Sequence, residues 1–525
     1  MTVPLARPSR RAAWVDGLTA PVVAGALALV AALAHWRGAD APNYLFRFEL
    51  FKRAGFTLWN VSWYAGHHTP GYSVLLPPLM ALGGPAVVGV GASVLAAAAF
   101  DRVLRSLPGT TNRRRIVASL VFAASTCTNL AVGRLAFAVG LALALSAAMA
   151  GQRGHRLLAL VLSPLATLAS PVAGVFLAIG WVAWWAVRRS WWPVVWAFAA
   201  LAPAAVVAVA FPEGGTFPFR WLALVTLLAL GVLAMVALPS EASVVRVGVA
   251  VYLLACIGTF IVPNPLGANI TRLGMYGAAP LFVASARLSR RWLVPVVVVL
   301  VWWQWSPAID SIVRSGHDPS TSSAYYSDLV GFLQERTPSL ERIEIPFTRR
   351  HFEAAYVAPV VPLARGWERQ LDMKSNPLFY EPAFDAATYH RWLDETGVQL
   401  VALPDVELDA SARQEAAIVR SMPPFLRPVW SDPHWQVFEV VGSTGLVTGP
   451  ATVFAQNVDS ITLDATGPGE VLVREHWTNY WTIDGPACVQ PSHLDDWVHI
   501  TVEAPGRLLL RPTLSGPRAR CDQPA

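Results

Sequence analysis

The chain predicts a polytopic α-helical membrane domain of about eleven spans, followed by an extracytoplasmic α/β domain and a C-terminal β-sandwich. Three observations carry that reading. Of 525 residues, 54% are hydrophobic and 14% charged, and the mean hydropathy is +0.45, outside the range of an ordinary soluble protein. The apolar runs stop near residue 308, and the composition beyond is that of a soluble domain. Arginines in the loops between the runs gather on one side of the bilayer. The resulting boundaries are 1–308, 309–440 and 441–525.

The first apolar run, 17–35, follows Arg7, Arg10 and Arg11. No small-residue cleavage site stands out and more runs follow, so it reads as a retained helix rather than a signal peptide. The others fall at 86–104, 114–130, 134–150, 157–172, 173–187, 192–211, 218–238, 246–262, 273–287 and 291–308. Residues 73–82 read as a short interfacial helix, and the short pair meeting at Ser170 and Pro171 reads as a broken hairpin within the membrane. Arg102, Arg105, Arg113, Arg114, Arg115, Arg153, Arg156, Arg188, Arg189, Arg246, Arg287, Arg290 and Arg291 share the side of the N-terminal arginines. The short loops opposite carry only Arg134, Arg220 and Arg272. By the positive-inside rule the N-terminus is cytoplasmic, and everything after residue 308 lies outside a multi-pass plasma (inner) membrane protein.

After residue 306, helical spacing at 325–336, 388–395 and 410–421 alternates with strand-like runs at 343–347, 398–404 and 435–441. From 441 onward come short alternating stretches with Gly and Pro turns, the pattern of a small β-sandwich. Cys127 and Cys256 fall within spans and read as core residues. Cys488 and Cys521 fall in the outer tail, where disulfides persist; mutual pairing is the preferred reading and two free thiols the alternative.

The most informative stretch is 36–72, the long loop after the first span. It is aromatic and rich in titratable groups beside a membrane, where such groups are costly unless used. Asp40, just beyond the first span, suits a general base held near a lipid-borne donor; the plainer reading is a cap on the helix starting near Pro42. Glu49 is a second candidate carboxylate, four residues before Arg53 at the spacing of a surface ion pair. Trp63, Tyr64, His67 and His68 are candidates for an acceptor site or cavity wall, although two histidines are too few for a metal site. Arg134 and Arg272, the outlying positives, suit the phosphate of a lipid-linked donor; the plainer reading is snorkelling to headgroups. In 364–372, Arg365, Trp367, Glu368, Arg369 and Asp372 read as a surface ion-pair network or a glycan contact.

No P-loop, no GxGxxG after a strand, no HExxH and no GxSxG occurs, which disfavours an ATP-driven pump, a dinucleotide enzyme, a zinc protease and an α/β-hydrolase. The net charge of +6 follows the membrane-flanking arginines and gives no reason to expect nucleic acid.

Residues 67–85, HHTPGYSVLLPPLMALGGP, look like the HPPLYYLLL…G passage of protein O-mannosyltransferase-like proteins. With Asp40, the aromatic loop and the tail REHWTNYWTIDG followed by VEAPGRLLLRP, the chain resembles the glycosyltransferase C superfamily. That resemblance implies a membrane glycosyltransferase moving a sugar from a polyprenyl-phosphate donor to a cell-envelope glycan, lipid or protein on the outer face. Asp40 would be the general base, and Arg272 and Arg134 would hold the donor phosphate. Many members carry paired acidic residues where Asp40 stands between Ala39 and Ala41; no cofactor is firmly implied, and a divalent metal is the one candidate. The alternative from another class is a non-catalytic protein that binds or translocates an envelope glycolipid.

Overall fold

The computed structural model describes residues 10–337, 339–492, 495–514 and 519–521; Arg7 lies outside the described residues. The chain divides into two compact units. The first comprises Met1–Tyr44, Gly71–Ala210 and Thr216–Gly316, and the second Leu45–Pro70, Phe211–Gly215 and His317–Ala525.

The first unit is helical. Its helices are α1 (Arg10–Leu33), the start of α2 (Ala41–Ala54), α3 (Leu76–Leu104), α4 (Asn112–Val132), α5 (Leu135–Gln152), α6 (Arg156–Ala169), α7 (Pro171–Arg188), α8 (Trp192–Ala210), α9 (Trp221–Ala237), α10 (Ser243–Ile261), α11 (Thr271–Ser285) and α12 (Arg290–Ser315). Each expected span is thus a helix. Seven, α3, α4, α5, α7, α8, α10 and α12, are long and apolar enough to cross a membrane; Gly17–Leu33, α6 and α9 are shorter apolar helices. The protein is a multi-pass membrane protein. The expected interfacial helix is the first part of α3, set off from the rest by non-helical backbone at Gly84, just before Pro85. Ser170, extended, is the only residue between α6 and α7; α6, at 14 residues, is about 21 Å long, too short to cross upright. Helix α4 packs against α1, α3, α11 and α12 and so sits inside the bundle.

Among its described residues the second unit holds four sheets. A two-residue ladder joins β1 (Trp59–Asn60) to β2 (His67–His68), pairing Trp59 with His68 and Asn60 with His67. The second sheet has the order β3-β4-β6-β5, from β3 (Ile343–Glu344), β4 (Leu400–Pro404), β5 (Leu426–Ser431) and β6 (Trp435–Val440). Only β3 and β4 are parallel. Helices α13 (Ser327–Gln334), α14 (Glu353–Tyr356), α15 (Arg369–Ser375), α16 (Ala386–Glu395) and α17 (Arg413–Arg420) accompany it. Tyr389 and Leu393 of α16 and Ala416 and Val419 of α17 bury their apolar stripes with Val401, Leu403 and Phe438 of the sheet. Asp385 closes a capping box with Thr388 and fixes where α16 begins. The edge strand β5 was not expected from the sequence. Its Pro428 and largely exposed residues hide the alternation by which a half-buried strand is read.

The tail forms two four-stranded antiparallel sheets. One runs β12-β13-β10-β7 and the other β11-β14-β9-β8, from β7 (Val447–Thr448), β8 (Ala451–Gln456), β9 (Ile461–Ala465), β10 (Gly469–His476), β11 (Trp481–Asp484), β12 (Ala487–Pro491), β13 (Trp497–Val502) and β14 (Gly506–Pro512). Alternate residues, Ile461 and Leu463, Val471 and Val473, Val498 and Ile500, Leu508 and Leu510, fill one shared core with Trp481. Cys488 of β12 and Cys521 are disulfide-bonded, with Cα atoms 4.9 Å apart, as expected. The bridge closes 33 residues, so in the chain-entropy account Cys488→Ser lowers stability by about 3–4 kcal/mol. Hydrogen exchange of peptides from β12 and β13 should show the loss; unchanged protection would mean the bridge constrains little. Cys127 and Cys256 are buried and unbridged.

One expectation is corrected. Arg365 and Asp372 are not at the surface: both side chains are fully buried, 2.7 Å apart, and Arg365 also reaches Glu415 at 3.2 Å. The guanidinium lies between the rings of Phe347 and Phe379, 3.9 and 3.7 Å from their centroids. A glycan cannot reach it. Glu344, also buried, stands 3.9 Å from Arg365. Burial and the neighbouring Glu415 push the Glu344 carboxyl well above its ordinary range.

Candidate active site

Asp40 is set by backbone before its side chain finds a partner. Its N–H donates to the carbonyl of Val132, at the end of α4, at 2.9 Å. Two glycines let the segments touch. A Cβ at Gly38 would lie 2.4 Å from the carbonyl oxygens of Ala131 and Val132, and one at Gly133 would lie 2.3 Å from the nitrogen of Ala41. Gly133 also ends α4 in the left-handed region, φ 93°, and donates to Asn129 and Leu130. Any side chain at either position would push Asp40 away.

That turn leads directly into Arg134, at the head of α5. Its Nε donates to Oδ2 of Asp40 at 3.2 Å. Arg272, in the first turn of α11, brings Nη2 to 3.6 Å from the same oxygen and lies 5.5 Å from the ring centroid of Phe137. One turn further along α11, the hydroxyl of Tyr276 hydrogen-bonds Thr128 of α4 at 2.9 Å. The three charged side chains are between 16 and 18% exposed, so this is not the water-screened surface pair that contributes about 0–1 kcal/mol. Two guanidiniums face one carboxylate. The cluster carries one surplus positive charge within a helical membrane unit, and each guanidinium has more donors than one carboxylate can use.

The other candidates lie in the second unit. Glu49 sits on α2 with its carboxylate bonded to Arg53 at 3.0 Å and Lys52 at 3.2 Å. Burial works to raise it, and the hydrogen bonds from Arg53 and Lys52 outweigh that and hold it below its ordinary value. This is the ion-pair reading of the spacing. Glu49→Gln should therefore change stability by at most about 1 kcal/mol, measured by thermal unfolding.

Trp63, Tyr64 and His67 form a buried cluster: the Trp63 and His67 rings are 5.5 Å apart and nearly parallel, Phe46 stacks on Trp63 at 4.1 Å, and Tyr64 stands edge-on to both Trp63 and His67. The Trp63 indole donates to the carbonyl of Ala354 at 3.2 Å, and the Tyr64 hydroxyl to that of Glu368 at 3.0 Å. His68 contacts Glu213 at 2.8 Å and Thr478 at 3.0 Å. Arg47 pairs with Glu368 at 2.6 Å and donates to the carbonyl of Thr69 at 2.7 Å. Neither ring nitrogen of His67 makes a well-formed hydrogen bond among the described residues. Burial lowers its pKa to about 4, against the pull of the Glu213 and Glu368 carboxylates.

The unfolded chain therefore binds a proton at position 67 that the folded chain refuses. Stability contributed there is complete above about pH 6.5 and is lost as pH falls toward 4. Denaturation followed from pH 7 to 4 should show a loss of about 1.4 kcal/mol per pH unit that His67→Phe removes. An unaltered slope in His67→Phe would rule this out.

Among the described residues no group of three or more His, Cys, Asp or Glu could hold a metal ion. Sequence reasoning missed Gly38, Gly133, Tyr276 and Thr128 around Asp40. The only signal was their closeness in sequence to Asp40, Arg134 and Arg272. It also missed Glu213, from a short loop with no motif.

No protein-family model matches this chain, and no curated protein matches it. Among solved structures it is similar to ArnT from Cupriavidus metallidurans in the apo state, with 13% identity and a TM-score of 0.39, over 83% of this chain and 99% of that one. A likeness of that size transfers neither a substrate nor a residue role.

Proposed function

We propose that this chain is a membrane glycosyltransferase, moving a sugar from a polyprenyl-phosphate donor to an acceptor hydroxyl of the cell envelope on the outer face of the membrane. The observation that carries the reading is the partly shielded Arg134–Asp40–Arg272 cluster, with its one surplus positive charge. The donor phosphate takes guanidinium donors that Asp40 leaves unused, which orients the anomeric carbon over the carboxylate. Asp40 accepts the proton of the acceptor hydroxyl as its oxygen bonds to that carbon. The carbon–oxygen bond to phosphate breaks, and polyprenyl phosphate leaves as an anion held by Arg134 and Arg272. No step requires a metal.

In this reading residues 1–308 form the transferase domain, and 309–440 and 441–525 are extracytoplasmic, on the outer face of the membrane. The arginine asymmetry supports that orientation. Fusions at residue 320 should be active with a periplasmic-type reporter and silent with a cytoplasmic one; the reverse pattern overturns the orientation. The transferase reading is tested with purified protein, a panel of polyprenyl-phosphate sugars and envelope extract as acceptor. Donor binding without transfer would instead favour a protein that carries or recognises a glycolipid.

A further inference from the structure

The second unit contains an open cleft of about 580 Å³, to which Arg53 alone of the groups described so far contributes. Its walls come from three stretches far apart in sequence: 53–62, 337–362 and the β8–β9 hairpin at 456–460. They are tied together by hydrogen bonds, two of them between backbones. The N–H of Val61 donates to the carbonyl of Val458 at 3.0 Å and that of Leu363 to Ser62 at 2.9 Å. Arg53 Nη1 donates to the carbonyl of Pro359 at 2.8 Å. The cleft is therefore formed before any ligand arrives, and its volume is within the ~300–1,000 Å³ usual for small-molecule sites.

The lining selects a class of ligand. Arg53, Gln456 and Asp459 present a guanidinium, an amide and a carboxylate, Ser62 adds a hydroxyl, and Pro359 and Pro362 give flat apolar surface. The Gln456 Nε2 is buried with no hydrogen-bond partner among the described residues; a turn of the amide toward the cleft would let a ligand acceptor relieve that cost. Asp459, at the hairpin tip, can accept two hydrogen bonds from adjacent hydroxyls. Arg53 shares the Glu49 carboxylate with Lys52, at 3.0 and 3.2 Å, and the Asp459 carboxylate balances the one positive charge left over, so the cleft has no net positive charge to attract a phosphate or nucleotide. It is too polar for an acyl chain. Planar donors and acceptors beside small apolar faces match a ring that carries hydroxyls on its edge and C–H groups on its faces.

We infer that this cleft binds a neutral saccharide, holding the acceptor glycan of the transferase proposed above. It rests on that reading only for the ligand's role as acceptor.

The test is equilibrium binding of neutral disaccharides of glucose, galactose, mannose and arabinose to the full-length protein in nanodiscs, read by saturation-transfer NMR and by titration. At least one should bind saturably. Asp459→Ala and Gln456→Ala should each weaken it about tenfold or more, the loss of one or two hydrogen bonds. Thermal unfolding of both variants establishes that they are folded. Asp40→Asn should still bind the same disaccharide, so the cleft is tested apart from the chemistry. Failure of every disaccharide to bind wild-type protein, or equal binding by both folded cleft variants, overturns the inference even if sugar transfer is found. Binding that depends on Asp459 and Gln456 without any transfer upholds the cleft and refutes the transferase.

Discussion

If the proposed reaction holds, Asp40→Asn should lower sugar transfer about 10²–10⁴-fold, the usual worth of a general base, while the protein still folds and still binds donor. Asparagine keeps the size of the side chain and an oxygen for Arg134, which donates to Asp40 at 3.2 Å. The backbone hydrogen bond to Val132 does not involve the side chain and is retained. The measurement is single-turnover transfer from a radiolabelled polyprenyl-phosphate sugar, so that chemistry is separated from product release. Arg272→Ala should act mainly on KM for the donor, since it removes a phosphate contact and leaves the base. Unchanged turnover in Asp40→Asn would remove the catalytic assignment.

The largest effect on stability is expected at Arg365→Met. The change conserves much of the volume between Phe347 and Phe379 but leaves Asp372 and Glu415 buried without their cation. Removing one partner of a buried ion pair typically costs about 3–5 kcal/mol, because the remaining charge has neither water nor counterion. Tyr380 and Asn376 also bond Asp372, at 2.6 and 3.1 Å, and soften the loss without replacing the charge. Denaturation monitored by proteolysis at α15 and α17 reports it; a loss below about 1 kcal/mol would mean that the carboxylates simply take up protons.

The membrane helices were legible because a bilayer requires length and apolarity, and both are local in sequence. Strands of the tail were legible for a similar reason, since alternate residues such as Val498 and Ile500 mark the buried face. Arg134 and Arg272 stood out as positives in loops with few others. What the sequence could not say is that they meet at one carboxylate, 94 residues before the first of them. That depends on two glycines whose importance lies in how closely another segment passes, and no single-sequence pattern reports it.

The second unit shows the limit more sharply. Residues 364–372 carry four charged side chains and a tryptophan, and by composition they belong at a surface. Arg365 is nevertheless in the core, because carboxylates from β3, α15 and α17 surround it and two phenylalanine rings cover its faces. Likewise the loop after the first span read as one unit with the membrane helices. Its 45–70 stretch instead belongs to the second unit, where Ser62 pairs with Leu363 and Val61 with Val458. By itself the sequence determined what the solvent demands: which segments suit lipid, which alternate between core and water, and which cysteines could pair. The tertiary structure alone decided which charges are neighbours. Hydrophobic burial is encoded residue by residue, whereas an ion cluster or a cleft is assembled from distant segments whose approach depends on the packing of everything between them.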